Sequence, residues 1–184
     1  MLQPATVFVP PPLAVPGPVL VSFAVVALTR KVPQGHLVEL REPDWHAAVA
    51  ALQRDPSGRF QIPPREFEAL IAGLYKAAGF DEVILTPSSG DFGIDVVATK
   101  WGDYGYKVLG QVKRYAHDHL VKAEEVRSFV FALDRDKSAS RGIVTTTSDF
   151  APGVPHEFKE WVPTRVDLVN GTRLLDMLAN PKRR

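Results

Sequence analysis

The sequence predicts a three-layer α/β domain with a mixed sheet. Three observations predict it. Between residues 60 and 178, stretches with helical spacing alternate with short β-rich stretches. Two adjacent strands, joined by a glycine turn, place an acid and a lysine near each other. The chain is 184 residues long with 45% apolar and 23% charged residues, enough for one core and little for a second.

The elements are taken in order. Six of the sixteen prolines fall in the first eighteen residues, so that stretch is expected to be extended, polyproline-like chain. The apolar run Val19 to Leu28 is about half the ~20 residues that span a bilayer. No basic residue precedes it, and it is expected to be a buried strand or hairpin arm, not a membrane or export segment. Asp44 to Gln53 is expected to be a short helix, capped by Asp44, with Trp45, Val49 and Leu52 on one face. Asp55 to Gly58 breaks that pattern. A boundary is expected near residue 60, giving a proline-rich extension over 1–60 and a catalytic domain over 61–180.

Pro64 opens a stronger helix, with Phe67, Leu70, Ile71, Leu74, Tyr75 and Ala78 on one stripe and Gly79 ending it. Glu82 to Thr86 is a strand, and Pro87 to Gly90 a turn. Ile94 to Thr99 and Tyr106 to Tyr115 form a hairpin through Gly102 to Gly105. A helix over Val121 to Leu133, a strand over Gly142 to Thr147 and a proline-interrupted helix over Val154 to Trp161 follow. The strand Val166 to Val169 and the helix Thr172 to Leu178 complete the order.

The absence of cysteine excludes disulfides, zinc–cysteine sites and thiol nucleophiles, and agrees with a cytoplasmic address. A formal net charge of +1 excludes a strongly basic coat, so any nucleic-acid contact must come from a local patch.

The chemistry-bearing residues lie on three elements. Glu68 sits at the edge of the apolar stripe of its helix, and Gly90 to Asp95 leads into a strand. In the next strand Gln111 and Lys113 share a face while Val112 points the other way. Two carboxylates, Asp95 and Glu68, with the Gln111 amide oxygen or the Val112 carbonyl, make an oxygen-only donor set that suits magnesium, with manganese as a substitute. Such a site hydrolyses phosphodiesters: the metal polarises the phosphate, and Lys113 orients or deprotonates the attacking water and stabilises developing charge. Gly90 and Gly93 allow a phosphate to approach the backbone. Asp91 either assists the metal or holds that turn, with the turn favoured. Arg114, Tyr115 and Lys122 are candidate DNA contacts. His117 and His119 lack helical spacing and a third ligand; loop histidines near the phosphate path are favoured over a metal pair, and plain surface histidines over both. Thr145 to Ser148 offers hydroxyls either to a phosphate or to a strand end.

Phe67-Glu68, Gly79-Phe80, Ser89 to Asp95, Gln111 to Tyr115, Thr145 to Ser148 and Val169 to Gly171 occur in this order. Together they resemble the Mrr-type restriction endonucleases of the PD-(D/E)xK nuclease superfamily. The resemblance implies an α/β/α restriction-endonuclease-like fold and a metal-dependent DNA endonuclease acting in defence. It implies Asp95 as the metal-binding carboxylate and Lys113 as the catalytic lysine. It places Gln111 where relatives outside the family carry Asp or Glu, and makes Glu68 the helix carboxylate. Val112 stands where the family commonly has cysteine. Residues 1–60 do not match the family's usual DNA-binding domain. The expected partner is double-stranded DNA, with a homodimer where both strands are cut. The alternatives are a binding or regulatory subunit without turnover and a nuclease selective for junctions or ends.

Overall fold

The structure is a computed structural model; it describes residues 27–87, 93–162 and 164–182. Its strands are β1 (Ala27–Val32), β2 (Gly35–Leu40), β3 (Glu82–Leu85), β4 (Val96–Lys100), β5 (Tyr106–Lys113), β6 (Ala139–Thr146) and β7 (Val166–Val169). Its helices are α1 (Glu42–Arg54), α2 (Pro64–Ala77), α3 (Ala123–Arg135), α4 (Val154–Glu157) and α5 (Gly171–Ala179).

The seven strands form one sheet in chain order, antiparallel from β1 to β5 and parallel from β5 to β7. This is the expected mixed sheet, with a hairpin, β1–β2, added at one edge. The apolar stripe of α2 buries Phe67, Leu70, Ile71 and Leu74 against Val83, Val96, Ala98 and Val108 on one side of the sheet, where α1 and α5 also pack. On the other side, α3 sets Val126, Phe129 and Leu133 against Leu109 and Val144. Alternation along β5 sorts its residues between these two cores: Val108 and Val112 face α2, Leu109 faces α3.

Residues 35–60, expected within an extension ahead of the catalytic scaffold, join its sheet and core. β2 pairs with β3, and Val38, Trp45, Ala48, Val49 and Leu52 are buried in the same cluster as α2. Most of the run Val19 to Leu28, and all of the proline-rich start, lie outside the described residues. α1 begins at Glu42, two residues before the expected cap, because Pro43 fits the first turn of a helix. Asp44 therefore lies inside the helix and pairs with Arg41 at 2.9 Å. The helix expected over Val154 to Trp161 is a single turn, Val154–Glu157. Beyond it the chain closes shorter turns, with Trp161 and Val162 N–H both donating to Phe158 O. No helix among the described residues is long and apolar enough to cross a membrane.

Candidate active site

The site is built where β4 and β5 lie side by side. Val96 pairs with Gly110 in antiparallel register, so the residue before β4, Asp95, comes opposite Gln111. The pleat turns Asp95, Gln111 and Lys113 toward the α3 side of the sheet. Asp95 is fixed by backbone bonds on both flanks: its N–H donates to Gly110 O at 2.8 Å, and its carbonyl accepts from Thr86 N–H at 3.0 Å. Its side-chain Oδ2 accepts from the Val112 N–H across the hairpin at 2.7 Å. Val112 itself packs its side chain into the α2 core, as its place in the strand requires, so the cysteine common in the family is replaced by another core residue.

Gln111 is 3% exposed, and its Oε1 has no hydrogen-bond partner among the described residues. A buried amide oxygen without a partner costs roughly 1–3 kcal/mol, so a residue of this type needs a reason to be there. Gly93 covers it. Its φ is +79°, a region disfavoured for other residues, and a Cβ there would sit 2.4 Å from Gln111 Nε2. The second family glycine, Gly90, and Asp91 lie outside the described residues.

Lys113 ends β5. Its Nζ lies 3.7 Å from Glu125 Oε1, a carboxylate of the first turn of α3. Glu125 Oε2 accepts the Lys122 N–H at 2.9 Å, and the Tyr115 hydroxyl donates to Oε1. Partial burial pushes the Glu125 carboxyl up, but the Lys122 N–H, the Tyr115 hydroxyl, Lys113 and His119 outweigh it and hold it below the ordinary value. Burial, and then the bond to Glu125, push the Tyr115 hydroxyl up to about 12. Gly93, Gln111, Lys113 and Glu125 line an open cleft of about 870 Å³, whose far wall is the α3 face bearing Arg127 and Phe131. Sequence reasoning missed Glu125. The signal was present: a glutamate three residues after the residue preceding a helix is a capping position.

The remaining expected residues are placed as follows. Glu68 is carried by α2, in the layer on the other side of the sheet, and pairs with Arg65 at 2.5 Å. Arg65 also donates to Thr86 O at 2.9 Å, which links this pair to the strand edge beside Asp95. Arg114 donates to Ile62 O at 2.8 Å and so braces the loop before α2. Lys122 is exposed at the start of α3. His117 and His119 diverge, one edge-on to Phe60 and the other over Tyr115, and no three His, Cys, Asp or Glu cluster among the described residues. Thr145 to Ser148 is buried and internally bonded. Thr147 Oγ1 accepts from Tyr115 N–H and donates to Tyr115 O, so these hydroxyls hold the chain just beyond β5 and are not aimed at a ligand.

The donor chemistry fits a hard divalent cation. Asp95 offers a carboxylate and Gln111 a buried neutral oxygen, a set that leaves room for water and phosphate, as magnesium prefers.

A family model described as restriction endonuclease, the Mrr catalytic domain, matches residues 60–178. The chain belongs to this family. No curated protein matches the sequence. Among solved structures, the MspJI restriction endonuclease in complex with a 27-mer oligonucleotide aligns with 22% identity and a TM-score of 0.50. That alignment covers 74% of this chain and 33% of the MspJI chain. The DNA modification-dependent restriction endonuclease AspBHI aligns with 17% identity and a TM-score of 0.49, over 74% of this chain and 35% of its own. The chain thus spans about a third of the length of either enzyme. As a member of the Mrr family it carries a restriction endonuclease domain, and Asp95, Gln111 and Lys113 fall inside the matched segment.

Proposed function

We propose that this chain is a divalent-cation-dependent endonuclease that hydrolyses phosphodiesters of double-stranded DNA in the restriction of foreign DNA, in the cytoplasm. The observation that carries the reading is the unpartnered Gln111 Oε1, buried beside Asp95 and Lys113 and roofed by Gly93. A buried acceptor without a partner, on the same sheet side as a carboxylate and an ammonium, is costly for stability, and a cation ligand would account for it.

Asp95 and Gln111 Oε1 would hold the cation, with the Val112 carbonyl as a further oxygen. When bound, the cation supplies positive charge at the scissile phosphate. Asp95 keeps its rotamer through the Val112 N–H, so its carboxylate arrives pre-oriented. Lys113 brings a positive charge to the cleft beside Gln111. Its ammonium orients the attacking water by donating to it and offsets the charge that builds on the phosphate oxygens. Glu68 acts from the α2 side, through its pair with Arg65, on the strand edge beside Asp95. One site cuts one strand, so a double-strand break calls for two copies, and a homodimer on DNA is part of the proposal.

The test is a digest of supercoiled plasmid, unmodified and base-modified, in magnesium, in manganese and in EDTA. Nicked or linear product in either metal and none in EDTA is expected. Cutting in EDTA sinks the metal site. Tight DNA binding with no product on any substrate in either metal would favour a binding module over an enzyme.

A further inference from the structure

We propose that Glu125 is a positioning residue for Lys113: a carboxylate of α3 that anchors the ammonium over the cleft. The inference rests on the nuclease reading for its consequence and on the geometry for its substance. Lys113 sits at the last position of β5, where a four-carbon side chain would ordinarily sample many rotamers. A lysine meant to meet one water must lose that freedom before the reaction, since preorganised charge is what lowers the barrier.

Among the described residues, Glu125 is the acidic group that pairs with it. Glu125 Oε1 stands 3.7 Å from Lys113 Nζ, and each end of this carboxylate is itself held. Oε2 takes the Lys122 N–H at 2.9 Å, which fixes it to the start of α3. Oε1 takes the Tyr115 hydroxyl, and Tyr115 is pinned by its backbone to Thr147 through bonds of 2.8 and 2.7 Å. The chain of contacts runs from buried β6–β7 scaffolding through Tyr115 and Glu125 to the ammonium. A carboxylate needed only to cap α3 would not require Tyr115 on its other oxygen. Gln111, Lys113 and Glu125 all line the same cleft. The outcome is a lysine of the cleft lining held by a counter-charge on the α3 side.

The test uses Glu125→Gln, which removes the charge and keeps one acceptor oxygen for the Lys122 N–H, while its amide N–H can donate to the Tyr115 hydroxyl oxygen. Single-turnover cleavage at saturating DNA should fall ~10–100-fold, the usual range for losing a group that orients a reacting one. DNA affinity without metal and the melting temperature should stay near wild type. In a Lys113→Met background, Glu125→Gln should add no further loss. Independently of activity, the Lys113 side-chain order parameter from NMR relaxation should be high in wild type and drop in Glu125→Gln. Wild-type cleavage by Glu125→Gln overturns the proposal. So does an equal loss in both backgrounds, or a Lys113 side chain equally mobile with and without the carboxylate. A wild-type protein that cuts nothing, yet shows the NMR contrast, overturns the nuclease reading and leaves the anchor standing.

Discussion

At the scale of single residues, the proposed chemistry rests on two charges, Asp95 and Lys113, and on one glycine, Gly93. Replacing Lys113 by Met keeps most of the stem and removes the ammonium. Cleavage should slow by ~10²–10³-fold, the range for losing one preorganised electrostatic group. DNA binding should change far less, because only one phosphate contact has gone. Asp95→Asn should also slow cleavage and raise the magnesium needed, with DNA binding equal or tighter once a negative charge is gone. Single-turnover rates against metal concentration separate the two. Wild-type rates in both variants would move the active site elsewhere. Gly93→Ala tests the roof over Gln111. A Cβ placed 2.4 Å from Nε2, on a backbone at φ +79°, forces either the amide or the turn to move. We expect lower metal affinity and a fall in stability of ~1 kcal/mol or more from the positive φ. Unchanged melting and unchanged metal dependence would show that the amide is not held there.

At the scale of elements, the end of β5 is set by its neighbours. Thr147 is fully buried and bonds both backbone groups of Tyr115. Thr147→Val keeps the shape and strands the partly buried N–H and carbonyl of Tyr115. The expected loss is ~1–3 kcal/mol, read as a lower denaturation midpoint, with slower cleavage because Tyr115 also steadies Glu125. A variant as stable as wild type would refute this role. The other end of β5 is tied by Lys107 to Asp136 at 2.6 Å, with Ser138 on the same carboxylate. Burial raises the Asp136 carboxyl, but these bonds outweigh it and bring it down to about 2 from an ordinary 3.8. A depressed carboxyl stabilises the fold above its ordinary value and stops doing so as pH falls through its folded value. Asp136→Asn should therefore melt lower than wild type at pH 7, and the gap should close between about pH 4 and pH 2. A constant gap across that window would assign the effect to shape alone.

The same scale shows what could be read from the sequence. The stripe of α2 and the alternation of β5 are set by local periodicity, so both elements, and the pairing of Asp95 with the Gln111 strand, were legible. β1 and β2 were not. Arg30 and Lys31 interrupt the apolar alternation there, and the short link Pro33-Gln34 does not have a typical hairpin sequence. Thr145 to Ser148, whose hydroxyls suit either a phosphate or a strand end, and Val169 to Gly171 join two elements: Gly171 N–H donates to Ser148 O, and a Cβ on Gly171 would meet Thr147 O at 2.2 Å. Glu125 was legible as a capping position, but its place beside Lys113 depends on where α3 starts relative to β5, a tertiary fact.

At the scale of the whole molecule, the family match and the physical unit do not coincide. The match begins at residue 60, and the chain also breaks its helical pattern there. Yet the core ignores that line. Val38, Trp45, Ala48, Val49 and Leu52 are all buried in the cluster that holds α2 and α5. Burying side chains such as Val and Leu contributes ~1.5–3 kcal/mol each. Several of them together rival the ~5–15 kcal/mol that holds a domain folded. A chain starting at Phe60 also exposes the β3 edge that β2 pairs with and the faces of α2 and α5 that α1 covers. Exposed edges and apolar faces of this kind lead to aggregation. We therefore expect the truncated chain to be insoluble, or to show helical far-UV circular dichroism with a weak near-UV signal and no cooperative melt. The full chain should melt in one transition, and limited proteolysis under native conditions should not release a stable fragment at residue 60. A soluble, cooperatively melting 60–184 protein that binds magnesium at Asp95 would instead make residues 27–59 an accessory to the site.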